Sequence, residues 1–486
     1  MPSTGPRIMP DPTLLNTKMR SYMEAMSPSA RMMLMRAIRN AQERGESEPA
    51  LQAMMKAASA IDGLVEKPAP ARSETPVMAS SLPWIERLKT AFFAPLEPFV
   101  VGYSYSAKIP GRIQSKSLDG IWLLITRDIL TNDQEALAAP SGDEATTDVA
   151  HSARKLRRSL TPKLGSLLKA GDIQSKPLRR LAAQLGSEMA LLDLFDVVYI
   201  FQNESAFLNL IGQLPRIISP LDLSDKSPVT ELVRTAVETM QLDPAFVAVP
   251  IIRHTAIAAP VALMAMPLCN VTEPKFIVGS RYAGIVDAVL AEVQMWVNGF
   301  SAHLGVRGER ANALVDLREY HELVRQIEIN IQPAQVPAWH RRLGACCKEM
   351  SDLIARDLDQ LPGLIWRALR IDTATGRFLG HFDDMTAEDA EFGARLFVET
   401  RGVLDSLALN ELVTRQRRHI EQTVETLTAR LLAELKAPGG SDMPDLVKAV
   451  DSAIRLSSSV FGEDYAVHLR RSRDLAMREP AKSMKA

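Results

Sequence analysis

Cysteine is scarce in this chain: Cys269, Cys346 and Cys347 are the only three among 486 residues. Adjacent Cys346 and Cys347 are awkward bridge partners on a helix. A disulfide framework is therefore not expected, and a reducing, cytoplasmic setting is. Aromatic residues are also few, at 5%, and none interleaves with the basic stretch described below to offer stacked bases a platform.

Long apolar runs are missing as well. The most apolar stretch, residues 245–269, is interrupted by Arg253 and His254 and punctuated by Pro250, Pro260 and Pro267. Its longest unbroken part falls short of the roughly 20 residues that a helical membrane span requires. A buried core helix or broken helical hairpin in a soluble protein is expected there instead. The opening residues, MPSTGPRIMPDP, hold no apolar centre of the kind a secretory signal needs.

Familiar catalytic signatures are absent too. The chain has no GxxxxGKS or GxxxxGKT phosphate loop, no dinucleotide fingerprint set between a strand and a helix, no HExxH and no GxSxG. His340, Cys346 and Cys347 lie close in sequence, but no fourth ligand or paired spacing completes a structural zinc site. Neither a metal nor a cofactor is expected. His321, flanked by Glu319 and Glu322, has the setting of a tuned base but no neighbouring nucleophile. The acids around Asp383, Asp384, Glu388, Asp389 and Glu391 suit a helix start, where free amides and the helix dipole favour negative charge. Thr386 is the expected cap there, with Asp389 completing a capping box.

What the chain has is helix-forming composition, rich in alanine, leucine and methionine. Apolar residues recur at three- and four-residue spacing along most of its length. The expected fold class is all-α: a multi-helical bundle of helical hairpins with a small N-terminal helical domain. Residues 11–64 form that Met-rich unit, in which Met19, Met23, Met26, Met32 and Met35 offer an adaptable docking face. Residues 65–81 read as a proline-rich linker. Residues 82–151 are an irregular arm, a helix and an acidic loop. Residues 152–300 make the central body, and 301–479 the C-terminal hairpins. Within the body, residues 178–211 read as a continuous buried helix, and prolines are expected to break helices near Pro162 and Pro362. A short echo, Ile113-Gln114-Ser115-Lys116 and Ile173-Gln174-Ser175-Lys176, precedes two expected helices.

One local contrast stands out against a formal net charge of -1. Residues 153–180 hold nine Lys or Arg and one acid, directly after a stretch, 132–150, with five acids and no base. Arg154, Lys155, Arg157, Arg158, Lys163, Arg179 and Arg180 are the expected interaction surface. Such a segment is read either as an ordinary solvated face or internal contact with the preceding acidic loop, or as a surface for an outside partner, an acidic protein first. An anionic membrane or nucleic acid would use the same charges, with strong salt dependence. The functional expectation is a non-catalytic interaction or scaffold protein, with self-association into a homo-oligomer compatible with it. The reading of a different class is an enzyme acting on a small molecule or lipid, with an apolar pocket at Arg253 and His254. Buried, those two side chains would need polar partners.

Overall fold

Apolar spacing and proline-led starts decide where helices begin in this protein. A computed structural model describes residues 83–102, 105, 108–131, 137, 149–169, 173–372, 375, 377–436 and 443–478. The expected Met-rich unit with Met19, Met23, Met26, Met32 and Met35, the expected linker, most of the expected acidic loop and residues 437–442 lie outside the described residues. Among the described residues the architecture is all-α, as composition and periodicity predict.

The first half is built around one apolar helix. Helix α1 (Trp84–Phe93) leads through a 3-10 turn to strand β1 (Val100–Val101), which pairs in parallel with β2 (Ile113–Gln114). Helix α2 (Ser115–Leu124) follows and ends in a π turn (Ile125–Ile129). Then come α3 (Val149–Leu168), α4 (Lys176–Leu185), α5 (Glu188–Gln202) and α6 (Glu204–Gln213). Helices α2, α3 and α4 all pack on α5, whose inner side is Leu191, Leu194, Val197, Val198 and Phe201. The few aromatics gather here: the Phe92 ring lies 5.0 Å from Phe93, 5.5 Å from Trp122 and 5.3 Å from Phe201. Edge and tilted contacts of this kind add to simple burial.

Residues 178–211 are three helices rather than one. Gly186 stops α4 in the left-handed region at φ 90°, and Ser187 accepts from the Ala190 amide to start α5. The 197–201 run is helical, as the neighbouring pattern predicts. The Ile-Gln-Ser-Lys echo does precede two helices, α2 and α4, and these pack against each other. Gly120 permits that approach: a Cβ there would sit 2.6 Å from the Leu185 carbonyl oxygen.

The apolar stretch is a broken set of short helices; Pro260 stands at a helix start, whereas Pro250 and Pro267 lie within helices. After α7 (Pro228–Glu238) come α8 (Pro244–His254), α9 (Ala259–Leu263) and α10 (Ala265–Cys269). Helix α8 packs on α11 (Ala283–Gly305), which makes a hairpin with α12 (Arg310–Ile331). Among the described residues no helix is long and apolar enough to cross a membrane.

Helices α13 (Pro337–Leu369), α14 (Asp384–Gly402), α15 (Asn410–Lys436), α16 (Met443–Phe461) and α17 (Glu463–Arg478) complete the body. Two expectations need correction, on proline and on the cap of α14. Pro162 lies inside α3 and Pro362 inside α13, so neither breaks its helix. Residues 404–406 form a separate 3-10 turn before α15. The cap of α14 is Asp383, which accepts from the Met385 amide and the Thr386 hydroxyl. Asp389 instead pairs with Arg307 and Arg310, at 2.6 and 2.5 Å. Thr386 therefore lies inside the first turn, where its hydroxyl donates.

Candidate functional site

The basic segment becomes two helices with sharply sorted faces. Both α3 and α4 are free of acids. On α3, Ala153, Leu156, Leu160, Leu164 and Leu168 form the buried stripe; on α4 the stripe is Leu178, Leu181 and Leu185. Arg154, Lys155, Arg158 and Lys163 are exposed along the first, Lys169 just past its end, and Lys176, Arg179 and Arg180 along the second. At 1.5 Å per residue, the exposed cations of α3, from Arg154 to Lys163, extend over about 14 Å of its length.

Among the described residues, no carboxylate pairs with any of these eight cations. Arg179 donates to the Gln174 side chain at 2.7 Å, a neutral contact beside its own helix start. Solvated cations that meet no described carboxylate cost the fold little and suit phosphate or carboxylate from outside. No described aromatic side chain is exposed on either helix, so the surface offers charge without stacking.

Arg157 is a correction to the expected surface. It is 5% exposed and lies on the apolar side of α3 with Leu156 and Leu160. Its Nε and Nη2 donate to Glu204 at 3.0 and 2.7 Å, and its Nη1 donates to the carbonyls of Ala91 and Phe92 at 2.8 and 3.1 Å. The guanidinium also stands 6.0 Å from the centre of the Phe201 ring. These contacts tie α1, α3, α5 and α6 together; Arg157 belongs to the core.

No family model matches the chain, and comparison with curated proteins and with solved structures finds no match either. The site must therefore be read from its own chemistry.

Arg253 and His254 end α8. Arg253 is exposed, and its Nη2 donates to the Val100 carbonyl at 2.8 Å. His254 is half-buried, with Nδ1 donating to the Pro215 carbonyl at 2.7 Å. The Ile218 amide donates in turn to the His254 carbonyl at 2.8 Å. Both side chains anchor neighbouring backbone at a helix terminus. With Arg253 at the exterior, the pocket reading loses one of the two residues on which it rested.

His340 is exposed, whereas Cys346 is buried with its thiol 3.2 Å from the Gln294 side-chain oxygen. Burial pushes the Cys346 thiol up to about 11 and raises Cys347 as well. Both thiols are therefore protonated near neutrality, the wrong state for a ligand or nucleophile. Among the described residues, no three His, Cys, Asp or Glu side chains gather as metal ligands.

The fold supplies one hydroxyl that local sequence could not. Ser406, on the turn before α15, lies 2.8 Å from His321 Nδ1. Burial lowers the His321 imidazole from its ordinary value, so it is neutral at pH 7. Ser406 is only 4% exposed, and the adjacent Tyr320 hydroxyl donates to its carbonyl at 3.3 Å. Tyr320 and His321 thus grip the connector between α14 and α15.

Sequence reading also missed a polar cluster where residues 108–114 meet α5 and α11. Lys108 Nζ donates to Asp193 at 2.5 Å, to Asp196 at 2.8 Å and to the Arg112 carbonyl at 2.7 Å. Gly111 and Gln114 amides donate to Asp196 and Asp193, each at 3.0 Å. Arg112 pairs with Glu292 of α11. The signal was Asp193 and Asp196, two acids three residues apart in the otherwise apolar run LLDLFDVVYIF.

Proposed function

We propose that this chain is a non-catalytic interaction protein whose outer α3 and α4 surface docks an acidic partner protein. One observation carries the reading: seven exposed cations on two acid-free helices and an eighth, Lys169, just past the first, none paired with a described carboxylate. Opposite charge speeds encounter and selects the partner, while affinity falls as salt screens it. The helices themselves are held from beneath by leucine and by Arg157, so the charges stand on a rigid support.

The test is affinity purification with quantitative mass spectrometry, comparing wild type with Arg154→Glu, Lys155→Glu, Arg158→Glu, Arg179→Glu and Arg180→Glu combined. An acidic protein retained by wild type, released by rising salt and lost from the folded variant supports the reading. Retention unchanged by charge reversal would overturn it. Sedimentation with anionic vesicles and with duplex DNA forms the parallel arms. Binding confined to either one replaces the protein partner with a phosphate-bearing one.

A further inference from the structure

The cluster beneath residues 108–114 has an unbalanced charge. From the segment come two cations, Lys108 and Arg112; from α5 and α11 come three carboxylates, Asp193, Asp196 and Glu292. All five lie largely out of water. Arg112 is 3% exposed at its side chain, Asp193 0%, Asp196 13%, Lys108 17% and Glu292 18%. With every group ionised, one negative charge is left over in a poorly solvated place. Burial of uncompensated charge is costly, and an acid in that position sheds the cost by taking up a proton.

Geometry identifies the acid. Asp193 accepts from Lys108 and Tyr105 on Oδ1 and from the Gln114 amide on Oδ2, so both oxygens are engaged as acceptors. Glu292 holds Arg112. Asp196 accepts from Lys108 and Gly111 through Oδ2 alone, and among the described residues no donor reaches its Oδ1. Tyr105 does not compete: its phenol is raised far above its ordinary value by burial and by Asp193, and it stays a donor.

We propose that Asp196 is a proton-binding switch: a proton on its Oδ1 neutralises the cluster and seats residues 108–114 on α5, and loss of that proton loosens the segment. Desolvation independently raises the Asp196 carboxyl above its ordinary value, outweighing the opposing pull of Lys108 and the Gly111 amide. An acid raised in the seated state binds its proton more tightly there than when released. Seating is therefore strongest on the acid side and declines as pH rises through the folded value. What the segment covers gives the switch a consequence. Ile109 of the segment, together with Val101 and Tyr105 that precede it, packs with Met189, Ala291 and Met295 in a small apolar cluster separate from the main core. Loosening would lift Ile109 from that patch on α5 and α11.

Hydrogen exchange of the intact chain tests this, because the Gly111 and Gln114 amides bond directly to the two aspartates. Protection of residues 108–114, corrected for the intrinsic pH dependence of exchange, should fall as pH rises from about 4 to 8. A single proton allows at most ~10-fold per pH unit. Asp196→Asn keeps the shape and removes the charge, so its protection should be flat with pH and no lower than the acid value of wild type. A flat wild-type profile would overturn the proposal even if the variant failed to fold. So would a variant that keeps the wild-type slope.

Discussion

Arg157 and Arg158 are neighbours in sequence and opposites in setting. Arg157 turns inward, where Glu204 and two backbone carbonyls take its donors; Arg158 turns outward to solvent with no described carboxylate against it. The same division runs through the first half of the protein. Lys108 and Arg112 are held by Asp193, Asp196 and Glu292, while Arg154, Lys155, Lys163, Lys176, Arg179 and Arg180 meet no described carboxylate. Inner cations are parts of the fold and cannot be given to a partner. Outer cations contribute little to the fold, which is why they are the ones a function can use.

The largest effects should come from the inner set. Arg157→Ala leaves Glu204 buried without its partner and frees two carbonyls. Breaking a buried pair on one side costs roughly 3–5 kcal/mol, and equilibrium urea denaturation should show that loss. Arg158→Ala, one residue along, should leave the midpoint nearly unmoved. Equal losses at the two positions would dissolve the distinction between inner and outer charge.

A second variant separates charge from packing. Replacing Arg157 with methionine and Glu204 with leucine together removes both ions and keeps apolar bulk. Such exchanges are often close to neutral, so most of the single-variant loss should return. If the double variant is as unstable as Arg157→Ala, the Ala91 and Phe92 carbonyls, rather than the ion pair, carry Arg157's role. A smaller effect is expected at Ser187, whose hydroxyl caps α5 directly beside the basic helix α4. Ser187→Ala should cost about 1 kcal/mol, read from the same denaturation curves.

How much of this was legible in sequence depends on whether the deciding partner is local. The long α11 and the α12 return were readable because Ile285, Val289, Val293 and Phe300 repeat at helical spacing. Proline was misread. At Pro162 and Pro362 the missing amide costs a hydrogen bond, but tertiary packing of 20- and 33-residue helices outweighs it. Arg157 carried an overlooked local signal, since it falls on the stripe of Leu156, Leu160 and Leu164. Its partner Glu204, 47 residues away, carried none. The same holds for Ser406 beside His321, separated by 85 residues, and for Glu292 beside Arg112, separated by 180. Helix faces are written in short-range periodicity. The partners of buried polar groups are set by topology.

The smallest stability change should accompany the most extensive substitution. Exposed positions away from caps and buried networks usually shift stability by less than about 0.5 kcal/mol each. Reversing Arg179 and Arg180 to glutamate sets them against Lys176, three and four residues away, which partly offsets what is lost, while positions 154, 155 and 158 on α3 stay like-charged neighbours as before. Thermal unfolding of that variant should therefore stay near wild type while retention of an acidic partner disappears. The pairing of those two results matters more than either alone. A folded, unchanged body that has lost its partner assigns the outer cations to recognition. A body that unfolds early shows that α3 and α4 need those charges for their own packing, and the docking reading falls with it.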